Sequence, residues 1–222
     1  MSKVYLVRHG QASAGTDDYD RLSSLGEKQS QLLGQWWHSQ GFSPDIACHG
    51  TLKRQRDTAH LALAGHTPLR TPDEHEGLNE YDHRIVDSHF GQGCQSDNPE
   101  SMSFESYIDI MQRWRDHVAQ PDLPQIESWT EFARRGWDTI KEQHHTHSEK
   151  RHHVFFTSGG VIATILSTVL NLDFAHTVDA IWRIRNASIT TLNFDGTHAR
   201  LIDFNTVPHL QAQNDPSLIT LI

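Results

Sequence analysis

Short apolar runs alternate with amphipathic helical stretches in the first third of the chain, and this alternation is what most constrains the fold. Residues 4–10 and 45–50 are typical of short buried strands that end in polar residues, and residues 67–72 form a third extended segment. Residues 23–41 and 51–65 have helical spacing of apolar residues, with a serine cap before the first helix and a glycine after each. This βαβαβ order predicts a parallel sheet covered by helices.

The remainder of the chain predicts a helical insertion followed by a return to the sheet. Two helices are expected at 104–118 and 128–143, separated by a proline-bearing break at 120–125. A buried strand, an apolar helix and a hairpin turning at Asp195–Gly196 follow. We therefore expect an α/β three-layer sandwich with a mostly parallel central sheet flanked by helices. It would be a single domain over residues 1–222, with a cap-like helical insertion at about 84–150.

Composition and charge narrow the classes of protein. The chain has 222 residues, of which 36% are hydrophobic and 21% charged, as in a soluble globular protein. A net charge of −9 argues against nucleic acid as a partner, because such a surface repels a phosphate backbone. The opening residues do not resemble a signal peptide and no apolar run approaches a membrane span. We expect a cytoplasmic protein with reduced thiols at Cys48 and Cys94.

Histidine is unusually frequent, with 17 residues. If all were protonated the net charge would become +8 (19 + 17 − 28), so we expect the charge to change strongly as pH falls through the histidine range. Five histidines cluster in the segment from His144 to His153. They could chelate a transition metal, but a solvated segment is the favoured interpretation.

Polar residues that could take part in catalysis or ligand binding lie at three predicted strand ends, which is where ligands bind in open α/β sheets. Arg8-His9-Gly10 follows the first strand: a neutral imidazole can attack phosphorus, and a guanidinium can bind phosphoryl oxygens in a bidentate manner. The alternative is that His9 is merely a surface residue at a strand terminus.

The other two strand ends offer cations and backbone donors. Arg54 and Arg56 open the second helix and cannot point the same way, so one could face the strand ends while the other is solvated. Ser158-Gly159-Gly160 begins a helix after a strand, and its N–H groups could bind an anion, although the glycines could also serve tight packing alone.

Together these segments resemble the histidine phosphatase superfamily, also called phosphoglycerate mutase-like. Four segments carry the resemblance in the family's order along almost the whole chain: LVRHG, YDRLSSLGEKQSQLLG, LKRQRDTA and GLNEYD. The resemblance implies that His9 is a nucleophile that becomes phosphohistidine. It also implies that Arg8 and Arg54 are phosphate ligands and that Glu80 donates a proton to the leaving oxygen.

One position departs from the family pattern. Where the family reads S-H-G-G after its last core strand, this chain reads Thr157-Ser158-Gly159-Gly160, so Ser158 replaces the second pocket histidine. Serine can donate one neutral hydrogen bond but carries no positive charge. Ser158 and Gly159 remain candidate phosphate-binding residues. His83 could supply charge from another direction, although a surface role is favoured for it, and Gln11 is a further candidate for the substrate pocket.

The sequence therefore predicts a phosphomonoester hydrolase that needs no cofactor and no metal. A phosphoglycerate mutase-type phosphotransferase is the alternative within the enzymes, and a catalytically weakened phospholigand-binding or regulatory protein is the alternative outside them. Intact His9 and Glu80 argue against a pure binder. The expected partner is a small phosphorylated substrate, with neither nucleic acid nor membrane. The sequence leaves the substrate and the oligomeric state open.

Overall fold

The computed structural model describes residues 1–13, 20–65, 71–92, 102–117 and 126–221. The strands are β1 (Ser2–Arg8), β2 (Ile46–His49), β3 (Asp73–Glu74), β4 (His152–Thr157), β5 (Ile189–Phe194) and β6 (Ala199–Thr206). The helices are α1 (Ser24–Ser39), α2 (Lys53–Leu63), α3 (His83–Phe90), α4 (Phe104–Asp116), α5 (Trp129–Thr146), α6 (Gly159–Leu170), α7 (Phe174–Arg183) and α8 (Pro208–Gln211). Short 3-10 turns lie at Glu76–Leu78 and Pro216–Leu218.

The strands form one sheet in the order β3-β2-β4-β1-β5-β6. Strands β1 to β4 are mutually parallel, whereas β5 pairs antiparallel with β1 and with β6. The register sets Arg8 beside Thr157 and His49 beside Phe156, so three parallel strands end side by side. The predicted fold class, a helix-flanked and mostly parallel sheet, is confirmed.

Alternate side chains of the central strands supply two cores, one on each face of the sheet. On one face, Val7, Ala47 and Phe156 pack with residues of α1 and α2, namely Leu33, Trp37, Ala59 and Ala62. On the other face, Leu6, Cys48 and Phe155 pack with residues of α5 and α6, namely Phe132, Ile140, Val161 and Ile165. Because both faces are covered, the central strands read as nearly continuous apolar runs.

Local signals fix several helix ends as the sequence predicts. The Ser23 hydroxyl accepts a hydrogen bond from the Gly26 N–H and caps α1. The α2 helix ends before Gly65, which has φ +86°. At the start of α5, Ser128 and Glu131 form a reciprocal capping box.

Other elements differ from expectation. The predicted third extended segment at 67–72 is followed by a strand of only two residues, Asp73–Glu74, and residues 66–70 lie outside the described ranges, as does the break at 120–125. Helix α5 continues to Thr146 rather than ending at 143. Helix α7 was not predicted; Asp173 caps it through the His176 N–H, which is the local signal for its start.

The histidine-rich segment is partly core. His153 is fully buried, His144 is nearly so, and their rings stack with centroids 5.8 Å apart. Burial is the main cause that lowers the pKa of each imidazole. The expectation of a solvated segment is therefore wrong for these two residues.

The buried thiol of Cys48 is free, and burial raises its pKa to about 12. Cys94 lies outside the described residues. None of the described helices combines the length and the apolar character needed to cross a bilayer.

The burial of His209 leads to a prediction about how stability depends on pH. Its side chain in α8 is 1% exposed, neither ring nitrogen has a partner among the described residues, and burial lowers its pKa to about 3. The unfolded chain binds a proton below about pH 6.5 whereas the folded ring stays neutral, so stability is lost as pH falls from there towards 3. We expect this one group to lower the unfolding free energy by about 1.4 kcal/mol per pH unit in that window.

Urea unfolding at a series of pH values measures this effect. His209→Leu should be at least as stable as the parent at pH 7 and should show a shallower acid dependence. An unchanged pH dependence in the variant would contradict the assignment.

Candidate active site

His9 lies one residue beyond β1, where the chain leaves the sheet. Its backbone N–H donates to the Thr157 carbonyl of the neighbouring β4 over 2.9 Å, which extends the parallel pairing to the candidate nucleophile. The side chain is 5% exposed. The imidazole is therefore almost fully enclosed, and Arg54 at the start of α2 is one of the groups in contact with it.

The hydrogen bonds of His9 fix its tautomer. The Arg54 Nε–H, which can only donate, contacts His9 Nε2 at 3.2 Å, so Nε2 carries the lone pair. His9 Nδ1 then carries the proton and donates it to the Gly10 carbonyl at 2.7 Å. Burial, the Arg54 charge and the Arg8 charge together hold the His9 pKa well below its usual value. The arrangement presents a neutral imidazole with a basic nitrogen.

Arg54 is in the first turn of α2 and is nearly buried. Its Nη1 donates to Asp20 Oδ1 at 2.7 Å, while Asp20 Oδ2 accepts from the Lys53 backbone N–H at 2.9 Å. Asp20 thus ties the arginine to the beginning of the helix. The Arg56 side chain is 42% exposed and pairs with Asp57, so the two arginines point apart as expected.

Arg8, at the end of β1, reaches towards the carboxyl-terminal segment. Its Nη1 donates to the carbonyls of Ile184 and Leu221. The aliphatic and Nε part of the side chain runs beside Gly159, within 4 Å of where a Cβ would lie. Arg8 is therefore close enough to lower the His9 pKa, and backbone carbonyls fix its orientation.

Ser158 is fully buried, and its hydroxyl accepts a hydrogen bond from Gln55 Nε2 at 2.8 Å. The same Nε2 donates to the Leu78 carbonyl at 2.9 Å, which fixes the orientation of the amide. The Ser158 proton must therefore point away from Gln55. The carboxamide of Gln55, which sequence reasoning did not single out, occupies the space beside the serine.

Glu80 lies against the beginning of α6. Its Oε2 accepts from the Gly160 N–H at 2.9 Å, and its Oε1 accepts from the Tyr81 N–H at 3.3 Å. A carboxylate is well placed at a helix N-terminus because the exposed N–H groups and the helix dipole stabilise negative charge. The expected anion-binding N–H of Gly160 is thus occupied by the protein's own carboxylate.

A cavity of about 210 Å³ opens beside these groups. It is lined by residues on both sides of the strand ends: Asp20, Leu52, Arg54, Glu80, Tyr81, Asp82, His83 and Arg84. The candidate phosphate ligand Arg54, the candidate acid Glu80 and the candidate pocket residue His83 are brought together here. Arg8, His9, Ser158 and Gly159 are not part of this lining.

Gln11 lies in the loop after β1 and does not line the cavity. Its Oε1 accepts from the Ser23 hydroxyl at 2.8 Å and its backbone N–H donates to Gln29 Oε1, so it links the loop after β1 to α1. Gly10 and Gly26 are at the closest approach of these segments: a Cβ on Gly10 would lie 2.4 Å from the Gly26 carbonyl oxygen. Thr58, within one of the quoted motifs, accepts from the Gly10 N–H at 3.0 Å. These motif residues position His9.

No group of three His, Cys, Asp or Glu side chains within the described ranges is arranged to hold a metal ion. The chemistry of the site lies in one imidazole, two guanidinium groups and one carboxyl group. This set can attack an electrophile, stabilise anionic charge and transfer a proton.

Several solved structures share the fold. A phosphoglycerate mutase from Bacillus anthracis is similar with a TM-score of 0.68 and 18% identity, over 96% of this chain and 97% of that one. A putative alpha-ribazole-5'-P phosphatase from Escherichia coli has a TM-score of 0.64 and 19% identity, over 92% and 96%. A mycobacterial glucosyl-3-phosphoglycerate phosphatase in complex with inorganic phosphate has a TM-score of 0.62 and 22% identity, over 94% and 99%. At these identities the likeness shows the fold alone.

The sequence itself matches the profile of the Histidine phosphatase superfamily (branch 1) over residues 4–207. The match includes most of β1 and the adjoining His9, α2 with Arg54, the Glu80 segment, and the strand and helix around Ser158. Because it spans nearly the whole chain, this protein belongs to the histidine phosphatase superfamily.

Proposed function

We propose that the protein is a phosphomonoester hydrolase that acts through a phosphohistidine at His9. The observation that carries the proposal is the fixed tautomer of His9, whose Nε2 lone pair faces the guanidinium of Arg54. In the reaction, the Arg54 Nε–H leaves His9 Nε2 to bind a phosphoryl oxygen, and the freed lone pair of Nε2 attacks phosphorus in line. The bond from phosphorus to the ester oxygen breaks, and Glu80 in its protonated form gives a proton to that oxygen. Water then cleaves the phosphorus–nitrogen bond and returns a proton to Glu80.

The low pKa of His9 supports this role. A protonated imidazole has no lone pair at Nε2 and cannot attack, so the surroundings of a nucleophilic histidine must keep it neutral. Burial and the charges of Arg54 and Arg8 do this. The same two cations stabilise the negative charge of a transferring phosphoryl group, which is the main requirement of phosphoryl transfer.

The position of Glu80 supports its role as the acid. It lines the cavity together with Arg54, and its carboxyl group is held by backbone N–H groups rather than by a permanent ion pair among the described residues. These donors fix the orientation of the carboxyl group beside the cavity, and because they also stabilise its anion, they favour its return to the carboxylate once the proton has been given up. Glu80 is the carboxyl group that we assign to proton transfer.

We place the departure from the family pattern, serine in place of the second histidine, at Ser158. A histidine ring there would meet the Gln55 amide, which lies 2.8 Å from the serine hydroxyl. The side chains of Gln55 and Ser158 therefore together occupy the space that a histidine ring would need. We propose that the site functions with serine and relies on Arg8 and Arg54 for positive charge.

The first test traps the intermediate. His9→Ala should abolish hydrolysis of an aryl phosphate and the phosphoenzyme seen by rapid quench, because it removes the attacking nitrogen. His49→Ala is the matched control: His49 is the last residue of β2, and its Nδ1 contacts the Gly50 carbonyl at the same 2.7 Å, but its ring packs edge-on against His60. Near-parental turnover in His9→Ala would show that the nucleophile assignment is wrong.

The second test concerns proton transfer. Glu80→Gln should lower kcat for alkyl phosphates by about 100- to 10,000-fold, the usual contribution of a positioned general acid. The loss should be much smaller for nitrophenyl phosphate, because nitrophenolate leaves without a proton. An equal loss with both substrates would indicate that Glu80 has a structural role only.

The third test concerns the serine. Ser158→His alone should lower the unfolding free energy by about 1–3 kcal/mol, as overpacking does, without raising kcat. Adding Gln55→Ala should recover the lost stability because it makes room for the ring, and Gln55→Ala alone is the control. Urea unfolding and aryl phosphate kinetics measure both effects. A hundredfold gain in kcat from Ser158→His alone would favour a decayed enzyme, and no activity in parent or variants would favour a binding protein.

A further inference from the structure

We propose that Arg135 of α5 is a positioning residue that holds Glu80 in the orientation needed for proton transfer. This inference rests on the proposed function, because it assigns Arg135 a role through the proposed acid. The Arg135 guanidinium is engaged by the Gly77 and Asn79 carbonyls and by Glu127, so we assign it a role through Glu80 rather than on the substrate.

Arg135 spans two segments through four hydrogen bonds. Its Nη1 donates to the carbonyls of Gly77, at 3.0 Å, and of Asn79. Its Nε donates to Glu127 Oε1, and its Nη2 donates to Glu127 Oε2 at 3.2 Å. The guanidinium also lies over the Phe132 ring, 4.9 Å from its centroid. Both edges of the guanidinium are thus used, and its plane is fixed.

The Asn79 carbonyl belongs to the same peptide group as the Glu80 N–H. Because a peptide group is planar, fixing this carbonyl fixes the plane from which the Glu80 Cα–Cβ bond projects. The side chain of Asn79 holds the other side of the segment: its Oδ1 accepts from the Thr51 N–H and its Nδ2 donates to the Thr51 hydroxyl, both at 2.7 Å. Of these hydrogen bonds, the one from Arg135 to the Asn79 carbonyl is the one made to the peptide group of Glu80.

The packing of α5 shows why the contact is rigid. Gly77 lies so close to the helix that a Cβ there would be 2.1 Å from the Thr139 hydroxyl oxygen. One turn earlier on the same side of α5, a Cβ on Gly136 would be 2.6 Å from a methyl carbon of Val161 in α6. Helix α6 in turn supplies the Gly160 N–H that binds the Glu80 carboxylate. The backbone and the carboxylate of Glu80 are therefore held by two helices in direct contact.

The ion pair of Arg135 with Glu127 contributes little to this function. The two side chains are 23% and 34% exposed, and partly exposed pairs add little stability. The planar guanidinium of Arg135 instead orients the groups that it binds, because the ammonium group of a lysine cannot bind two carbonyls and a carboxylate in one plane. Loss of Arg135 should therefore disturb proton transfer more than it disturbs the fold.

The experiment measures how kcat/KM depends on the leaving group. Arg135→Gln should lower kcat/KM for an alkyl phosphate by about 100-fold, the loss expected when a catalytic group is displaced by about 1 Å, and should leave nitrophenyl phosphate nearly unchanged. Arg135→Lys should lie closer to Gln than to the parent. A purely structural role would instead lower thermal stability and affect both substrates equally.

Two controls separate the contributions. Glu127→Gln breaks the ion pair but leaves both carbonyl contacts, so its leaving-group dependence should match the parent. Arg134→Gln changes the neighbouring exposed arginine, which pairs with Asp138, and should leave all rates unchanged. An active parent whose Arg135→Gln variant keeps the parental leaving-group dependence would overturn the role of Arg135 alone. A parent that hydrolyses neither phosphate would overturn the proposed function and this role with it.

Discussion

The side-by-side parallel pairing of β1, β4 and β2 is the constraint on which the site depends. Parallel strands end at the same edge of a sheet, so the pairing brings His9, Ser158 and the start of α2 together from distant parts of the chain. The Thr157 carbonyl continues that pairing by one residue and accepts from the His9 N–H. Close glycine contacts between the β1 loop and α1 then leave the imidazole little freedom.

Most of the sheet could be predicted because its signals are local. Apolar runs marked the long strands, and Asp195–Gly196 marked the hairpin between β5 and β6. The shortest strand, β3, could not be placed because two residues carry no periodicity. Helix α7 has a capping aspartate, but its apolar residues pack against α6 and α4, whose positions only the tertiary fold defines.

The motifs identified the candidate residues of the site, but the contacts of these residues could be read only from the structure. Arg54 and His9 are distant in sequence, so no spacing rule could assign the His9 tautomer that their contact fixes. Gln55 has no motif signal, and the Gly160 N–H bound Glu80 rather than remaining open. Counting histidines also overstated the charge change near pH 6.5, because burial keeps several of them neutral to lower pH, His209 most clearly.

The contact of Arg8 with the end of the chain has a practical consequence for protein engineering. Arg8 donates to the Leu221 carbonyl, and Gln29 donates to the Leu218 carbonyl and to the Thr220 hydroxyl, so the last described residues form part of the wall behind His9. The amino terminus begins β1 at the opposite edge of the sheet, a strand length of roughly 20 Å away. Substitutions or insertions within residues 218–221 are therefore expected to displace the arginine beside His9, whereas changes at Ser2 act at the far end of β1.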